Sequence, residues 1–254
     1  MTARKILSAH KLIEYAFAIP QRRVKIIENA LQPPTFIMDT MYPDIERATG
    51  PYLVSQCTDP IGLENLDQLY QTRLAKIYRE REVLTDHHEQ RLFNAMDAIS
   101  HVRDMDWALP SKCTVELAQS VPTGMEICGI EVRIKPSVLL KRREPGFRDP
   151  FIGVVKPYFG KTSPLRSVDD MRRGVLFATL LHWFAESALD FLGTADPKMC
   201  YVADVFDEKT HFAATRYKQR RKQIEALALE IFDRWEPIAE RLEDKVSTRV
   251  LSTK

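Results

Sequence analysis

Lys156 is the side chain whose setting most clearly asks for chemistry. It stands in FIGVVKPYF (Phe151 to Phe159), a run that is apolar and β-branched except for this one ammonium group. A charge in such a run needs a partner, because removing it from water unpaired is costly. Three acids could supply one. Asp204 lies between Ala203 and Val205 in a second apolar run, MCYVADVF; Glu131 occupies a polar position of GIEVRIK; Asp149 just precedes the Lys156 run. An acid and an amine on neighbouring strands make a buried ion pair, which more often supports a structure than reacts. The functional use of the same groups is a metal or phosphate site, with Lys156, Asp204 and Glu131 as the candidate catalytic residues.

Basic residues are unevenly spread. Residues 1–132 carry 14 Lys and Arg against 18 Asp and Glu, whereas residues 133–222 carry 18 against 10. That local excess of positive charge is the electrostatic footprint of a phosphate-bearing partner. The candidate nucleic-acid contacts are Arg133, Lys135, Lys141, Arg142, Arg143, Arg172, Arg173, Arg220 and Arg221, with Tyr217 able to stack on a base. Each cluster alone is an ordinary solvated surface; together they gain affinity by releasing counterions from phosphates. No zinc finger, helix-turn-helix or RNP signature is present, so binding to DNA or RNA is expected at the backbone rather than the bases. His87-His88-Glu89 and His101 lack the i, i+4 histidine pair of a helical zinc site, so no metal is expected there.

These groups need elements to hold them. The apolar spacing predicts helices over 6–17 and 20–31, a short helical stretch broken at Gly50-Pro51, and strongly helical sequence from Leu63 to about Val102. Strands are expected at Cys113 to Val121 and through EICGIEVRIKPSVLL, where Ile130, Val132 and Ile134 alternate with Glu131, Arg133 and Lys135. FIGVVKPYF and MCYVADVF are two more. A helix over about 168–192, apolar nearly all round, must be buried on most sides. An amphipathic helix from Tyr217 to Leu242 should be kinked or divided at Pro237. The expected architecture is α/β (α+β), a mixed sheet of about four strands flanked by helices. Its segments are a mostly helical N-terminal region (1–105), a mixed-sheet core (106–215) and a C-terminal amphipathic helix (216–254).

That order, with Lys156 inside the third strand, resembles the core of the PD-(D/E)XK nuclease superfamily over roughly residues 85–207. The resemblance implies a helical glutamate, for which Glu89 could stand. It also implies two strand carboxylates that hold Mg²⁺ and a lysine that neutralises charge. Ser137 stands where the second strand should carry aspartate, and Val154 where the third should carry an acid. The resemblance therefore implies a nuclease-like, catalytically degenerate core with no cofactor. Mg²⁺ would enter only if Glu131, Asp149 or Asp204 had taken over the missing roles.

The remaining composition narrows the field. No run reaches the about 18 apolar residues that cross a bilayer, so no membrane partner is expected. The N-terminus does not read as a secretory signal. Cys57, Cys113, Cys128 and Cys200 form no CxxC pair, which suits free thiols in a reducing cytoplasm. There is no GxSxG and no glycine-rich phosphate loop. A third class of function is an assembly subunit that docks a protein partner through its N-terminal helices, with Tyr15, Phe17 and Phe36 as anchors.

Overall fold

The structure is a computed structural model that describes residues 4–32, 42–80, 86–160 and 168–252. Its elements run β1 (Ile6–Ser8), α1 (Ala9–Phe17), α2 (Pro20–Leu31), α3 (Tyr42–Val54), α4 (Ile61–Glu80) and α5 (Asp86–Asp104). Then come β2 (Thr114–Leu117), β3 (Gly124–Ile127), β4 (Ile130–Arg133), β5 (Val138–Arg142), β6 (Phe151–Tyr158) and α6 (Val168–Ala188). The chain ends in β7 (Thr194–Ala195), β8 (Tyr201–Asp204), β9 (Lys209–Phe212) and α7 (Tyr217–Ser252).

The fold class is mixed α/β, as the sequence leads one to expect, but the strands form two sheets rather than one sheet of about four. The larger sheet runs β2-β5-β6-β8-β9, with β7 also paired to β6; the smaller runs β1-β4-β3. Strand β6 is central. It lies antiparallel to β5 and parallel to β8, so both its edges are hydrogen-bonded. Both its faces are also covered. Ile152 and Val154 join the core built with α1, α2, α6, α7 and the small sheet. Val155, with Val138, Leu140 and Tyr201, joins the core under α3, α4 and α5. A strand buried on two faces gains from apolar residues at every position, which is why FIGVV shows no alternation.

The helices before residue 105 are thus shared between the two cores. The first apolar stripe does not begin a helix: Ile6 and Leu7 lie in β1, parallel to β4, and Ser8 caps α1 by accepting from the Lys11 N–H at 3.3 Å. Tyr15 is fully buried and donates its hydroxyl to Glu230 at 3.1 Å, while Arg23 reaches both oxygens of Glu230 at 3.1 Å. Burial first, and then Glu230, push the Tyr15 phenol up to about 12. Phe17 packs against the same core beneath the Arg173 guanidinium, 5.2 Å from its ring. Tyr15 is therefore an internal anchor with no surface left for a partner, whereas Phe17 is partly buried; Phe36 lies outside the described residues.

Four further expectations are corrected. EICGIEVRIKPSVLL is three strands. Cys128 and Gly129, both at positive φ, form the tight turn between β3 and β4, and Pro136 separates β4 from β5. Helix α3 continues through Gly50-Pro51 to Val54, since a proline near a helix end forfeits a single backbone bond. At Pro237 the helix is not divided: α7 runs as one element from Tyr217 to Ser252, with Trp235 and Ile238 buried on either side of the proline. Strand β9 is additional; it pairs antiparallel with β8. Among the described residues no helix is long and apolar enough to cross a membrane.

Gly153 marks the tightest packing of β6. A Cβ there would stand 2.2 Å from the Met199 carbonyl oxygen, a backbone atom that cannot step aside. Gly153→Ala is therefore expected to cost about 1–3 kcal/mol, the usual penalty of overpacking. A urea-unfolding midpoint unchanged from that of the parent chain would contradict this.

Candidate anion-binding cleft

Strand β6 outruns β5. Their last pair is Val155 with Val138, after which the Ser137 N–H still donates to the Val155 carbonyl at 2.9 Å. Pro157, two residues on, points its nitrogen to the same vacated edge, so its missing N–H removes no ladder bond. The end of β6 is consequently paired on one side only, with β8, and Lys156 is set at the rim of the sheet. There its ammonium makes an ion pair with Glu46 of α3, while the same Glu46 oxygen lies 3.5 Å from the Ser137 hydroxyl. Lys156 keeps 20% of its side chain exposed, so it is paired yet accessible.

Around this pair opens a cleft of about 680 Å³. One wall is Arg133, Ile134 and Lys135, where the chain leaves β4 in the small sheet on its way to β5 in the large one. A strand that changes sheets exposes its polar positions at the junction, which puts both cations on the cleft. The facing wall is Tyr42, Pro43 and Glu46 from the first turns of α3. Ala9 and His10, in the first turn of α1, close a third side, and Phe177 and Leu181 of α6 lie beneath. The first turns of α1 and α3 therefore border the cleft, and that of α1, capped by Ser8, adds partial positive charge. Aromatic rings are paired along it: His10 on Tyr158 at 5.3 Å, and Tyr42 on Phe159 at 5.6 Å with planes 13° apart.

The basic residues marked in the sequence separate into two groups. Arg133, Lys135 and Lys156 meet at the cleft, and the charge of Arg173 is felt by His10 there. Arg172, beside Arg173 near the start of α6, is exposed. Lys141, Arg142 and Arg143 lie at the opposite end of the sheet, because Arg142 pairs with Phe151, five residues or roughly 16 Å from Lys156 at strand spacing. Here carboxylates already hold the charges. Lys141 meets Glu116 at 2.7 Å, and Arg142 meets Glu144 at 2.9 Å and Asp196 at 3.1 Å; Arg143 is exposed. Arg221 is bound to Glu186 and to His182, lying over Tyr217 at 4.8 Å, and Arg220 donates to Gln223 at 3.1 Å. Tyr217 is thus occupied by its own neighbours rather than open for a base.

Of the acids named with Lys156, Glu131 and Asp149 lie apart from it, and Asp204 stands on the neighbouring strand β8, two residues past Val202, the partner of Lys156. Asp204 is fully buried and accepts the Asp207 N–H at 3.3 Å, closing the turn between β8 and β9; Lys156 takes Glu46 as its partner instead. Glu131 sits in the small sheet, 3.5 Å from Arg133. Asp149 is exposed before the far end of β6. Glu89 of α5 accepts from the Tyr78 hydroxyl, and His101 is held by Glu208 at 2.7 Å. Among the described residues no three His, Cys, Asp or Glu side chains gather to hold a metal ion. A Mg²⁺ ion needs a converging set of oxygens, so these residues do not fit the ion that the nuclease resemblance implies.

Sequence reasoning found Arg133, Lys135 and Lys156 but missed Glu46, His10 and Tyr42, which lie in helices far along the chain from β6. The one local signal was the aromatic pair Tyr158-Phe159 directly after Lys156-Pro157. No protein-family profile matches the chain, and no curated protein matches it.

Three histidines give the molecule a definite acid response. Desolvation against its neighbours lowers the pKa of His10 below 6.5, helped by Lys11, Arg173 and Lys156 and opposed by Glu14, but its side chain stays 46% exposed, so solvent screens its share of the stability. Burial likewise lowers His182, aided by Arg221, and His211, opposed by Asp207. Because each folded value lies below the unfolded one, the unfolded chain binds more protons in acid. The associated stability is full above pH 6.5 and is lost as the pH falls through the depressed folded values. Urea midpoints should therefore drop between about pH 7.5 and pH 5.5, and less so in His182→Gln; a flat profile would contradict the assignment.

Proposed function

We propose that this chain binds nucleic acid by its phosphate backbone at the β6 cleft, without cleaving it. The observation that carries this reading is the convergence of Arg133, Lys135 and Lys156 on one concave wall lined with aromatic rings. Cations so placed gain affinity by displacing the counterions condensed on a phosphate chain. The first turn of α1 adds a dipole of the same sign, and Tyr42 and Phe159, stacked on each other, line the same space. The far end of the sheet is a weaker candidate: cations at both ends have acid partners, but Lys141, Arg142 and Arg221 keep only 15–28% of their side chains exposed, whereas Arg133 beside Glu131 keeps 55% and Lys135 is exposed. No cleavage is expected, because Asp149 and Glu131 stand apart from Lys156 and, among the described residues, no three His, Cys, Asp or Glu side chains gather to hold a metal ion. The one acid at Lys156 is Glu46, which sits where a phosphate would sit and must yield to it.

The test is fluorescence anisotropy with labelled oligonucleotides across a salt series. Three phosphate contacts predict an affinity loss of about 20- to 40-fold between 50 and 200 mM salt. Lys156→Ala or Arg133→Ala should weaken binding and lower the slope of log affinity against log salt by about one each. Lys141→Ala, at the opposite end, should leave both unchanged. Glu46→Gln should tighten binding by about threefold or more, since it removes the competing anion. Failure to bind at 50 mM salt would overturn the proposal, as would cleavage of the bound strand.

A further inference from the structure

The cleft does not end at Glu46. A second hollow of about 330 Å³ continues beyond it, and Pro43, Glu46 and Lys135 line both. The far hollow lies between α3, through Arg47 and Gly50, and the end of β2 with the stretch that follows it, through Leu117, Ala118 and Gln119. Gly50 keeps the passage narrow: a Cβ there would stand 3.0 Å from the Leu117 side chain and 3.6 Å from the Ser137 carbonyl.

The two hollows differ in chemistry. The larger has the paired rings of Tyr42 and Phe159 together with Arg133 and Lys156. The smaller mixes apolar Leu117, Ala118 and Pro136 with Ser137, Gln119 and Arg47, whose side chain is 78% exposed and meets Asp44 at 2.9 Å. At the neck, Lys135 faces both. An unstacked base fits a concave aromatic hollow, and a phosphate chain leaving it needs a cation at each step. A base-paired duplex keeps its bases inside a rod and could touch only the rim. A lone nucleotide would fill one hollow and leave the other with no occupant.

Building on the reading above, we infer that the cleft takes a single strand that is threaded across Lys135, with a base in the larger hollow and the next nucleotides in the smaller. Affinity then rises with length until both hollows are filled, and stops rising afterwards. Arg47 and Ala118 bear only on the second step.

The experiment compares thymidine monophosphate, single strands of about four nucleotides as DNA and as RNA, and a short duplex. Each competes with a labelled strand for the parent chain, Arg47→Ala and Ala118→Glu. The single strand should bind at least about fivefold tighter than the mononucleotide. Ala118→Glu, which places bulk and negative charge in the smaller hollow, should erase that gap while leaving mononucleotide affinity unchanged. Arg47→Ala, at an exposed helical position, should narrow the gap without touching the fold. The DNA and RNA arms reveal which sugar is preferred, and preference for either agrees with the inference. Equal affinity for mononucleotide and strand, or tighter binding of the duplex, would overturn the threading while leaving phosphate binding intact. Binding of none of them would instead remove the reading on which it rests.

Discussion

Strand β6 extends three residues beyond its pairing with β5, and the cleft exists because of that overhang. Within the sheet a lysine at position 156 would face the same dense packing as Val154 and Val155. At the frayed edge its ammonium reaches solvent and Glu46 while its stem stays among apolar neighbours. Pro157 fixes the place where this happens, since it cannot donate to a further partner strand. The loss of pairing on one side of β6 opens room for the connection from β4 to β5, which brings Arg133 and Lys135 to the same rim. One geometric feature, a strand longer than its neighbour, thus gathers cations from two separate sheets.

Charge in this molecule is balanced differently at the two ends of the large sheet. At the β5–β6 hairpin end, Lys141, Arg142 and Arg221 each meet carboxylates, and the arginines also lie over aromatic rings. These contacts tie the hairpin, β7 and α7 to the sheet, and an external anion would have to compete with them. At the cleft end Glu46 meets Lys156 and Glu131 lies 3.5 Å from Arg133, but Arg133 keeps 55% of its side chain exposed and Lys135 on the same wall is exposed too. A difference of this kind is invisible in the net charge of +2, and only partly visible in the segmental excess over residues 133–222. Sequence blocks count charges, whereas a site depends on which charges remain uncommitted after folding.

Much of the fold was legible in the chain, and the misreadings have definite causes. The long helices and the buried runs FIGVV and YVAD carry their own periodicity and composition, so they were readable. The split of EICGIEVRIKPSVLL was not, because Cys128 gives little sign of a turn, and what demands a glycine at the next position is the close approach of Gly129 to the distant Phe232 ring. The β1 strand looked like the start of a helix because Ile6 and Leu7 suit either element. Their parallel partner, β4, lies more than a hundred residues away. Gly50-Pro51 looked like a break because local propensity argues for one, whereas packing of α3 against β2 and β5 holds the helix through it.

By itself, the sequence determined that this is a mixed α/β chain with a buried central strand, that a lone ammonium interrupts that strand, and that positive charge is concentrated in its second half. Those properties follow from hydrophobic periodicity and composition, which act over short stretches. Which acid meets Lys156 was decided only in three dimensions. Asp204 is nearer in kind and in strand order, but it is spent on its own turn, and the partner comes from a helix 110 residues earlier. Burial and pairing are properties of the assembled surfaces around a residue. No local pattern encodes them, and the cleft, built from β4, β6, α1, α3 and α6 together, belongs to that second kind of information.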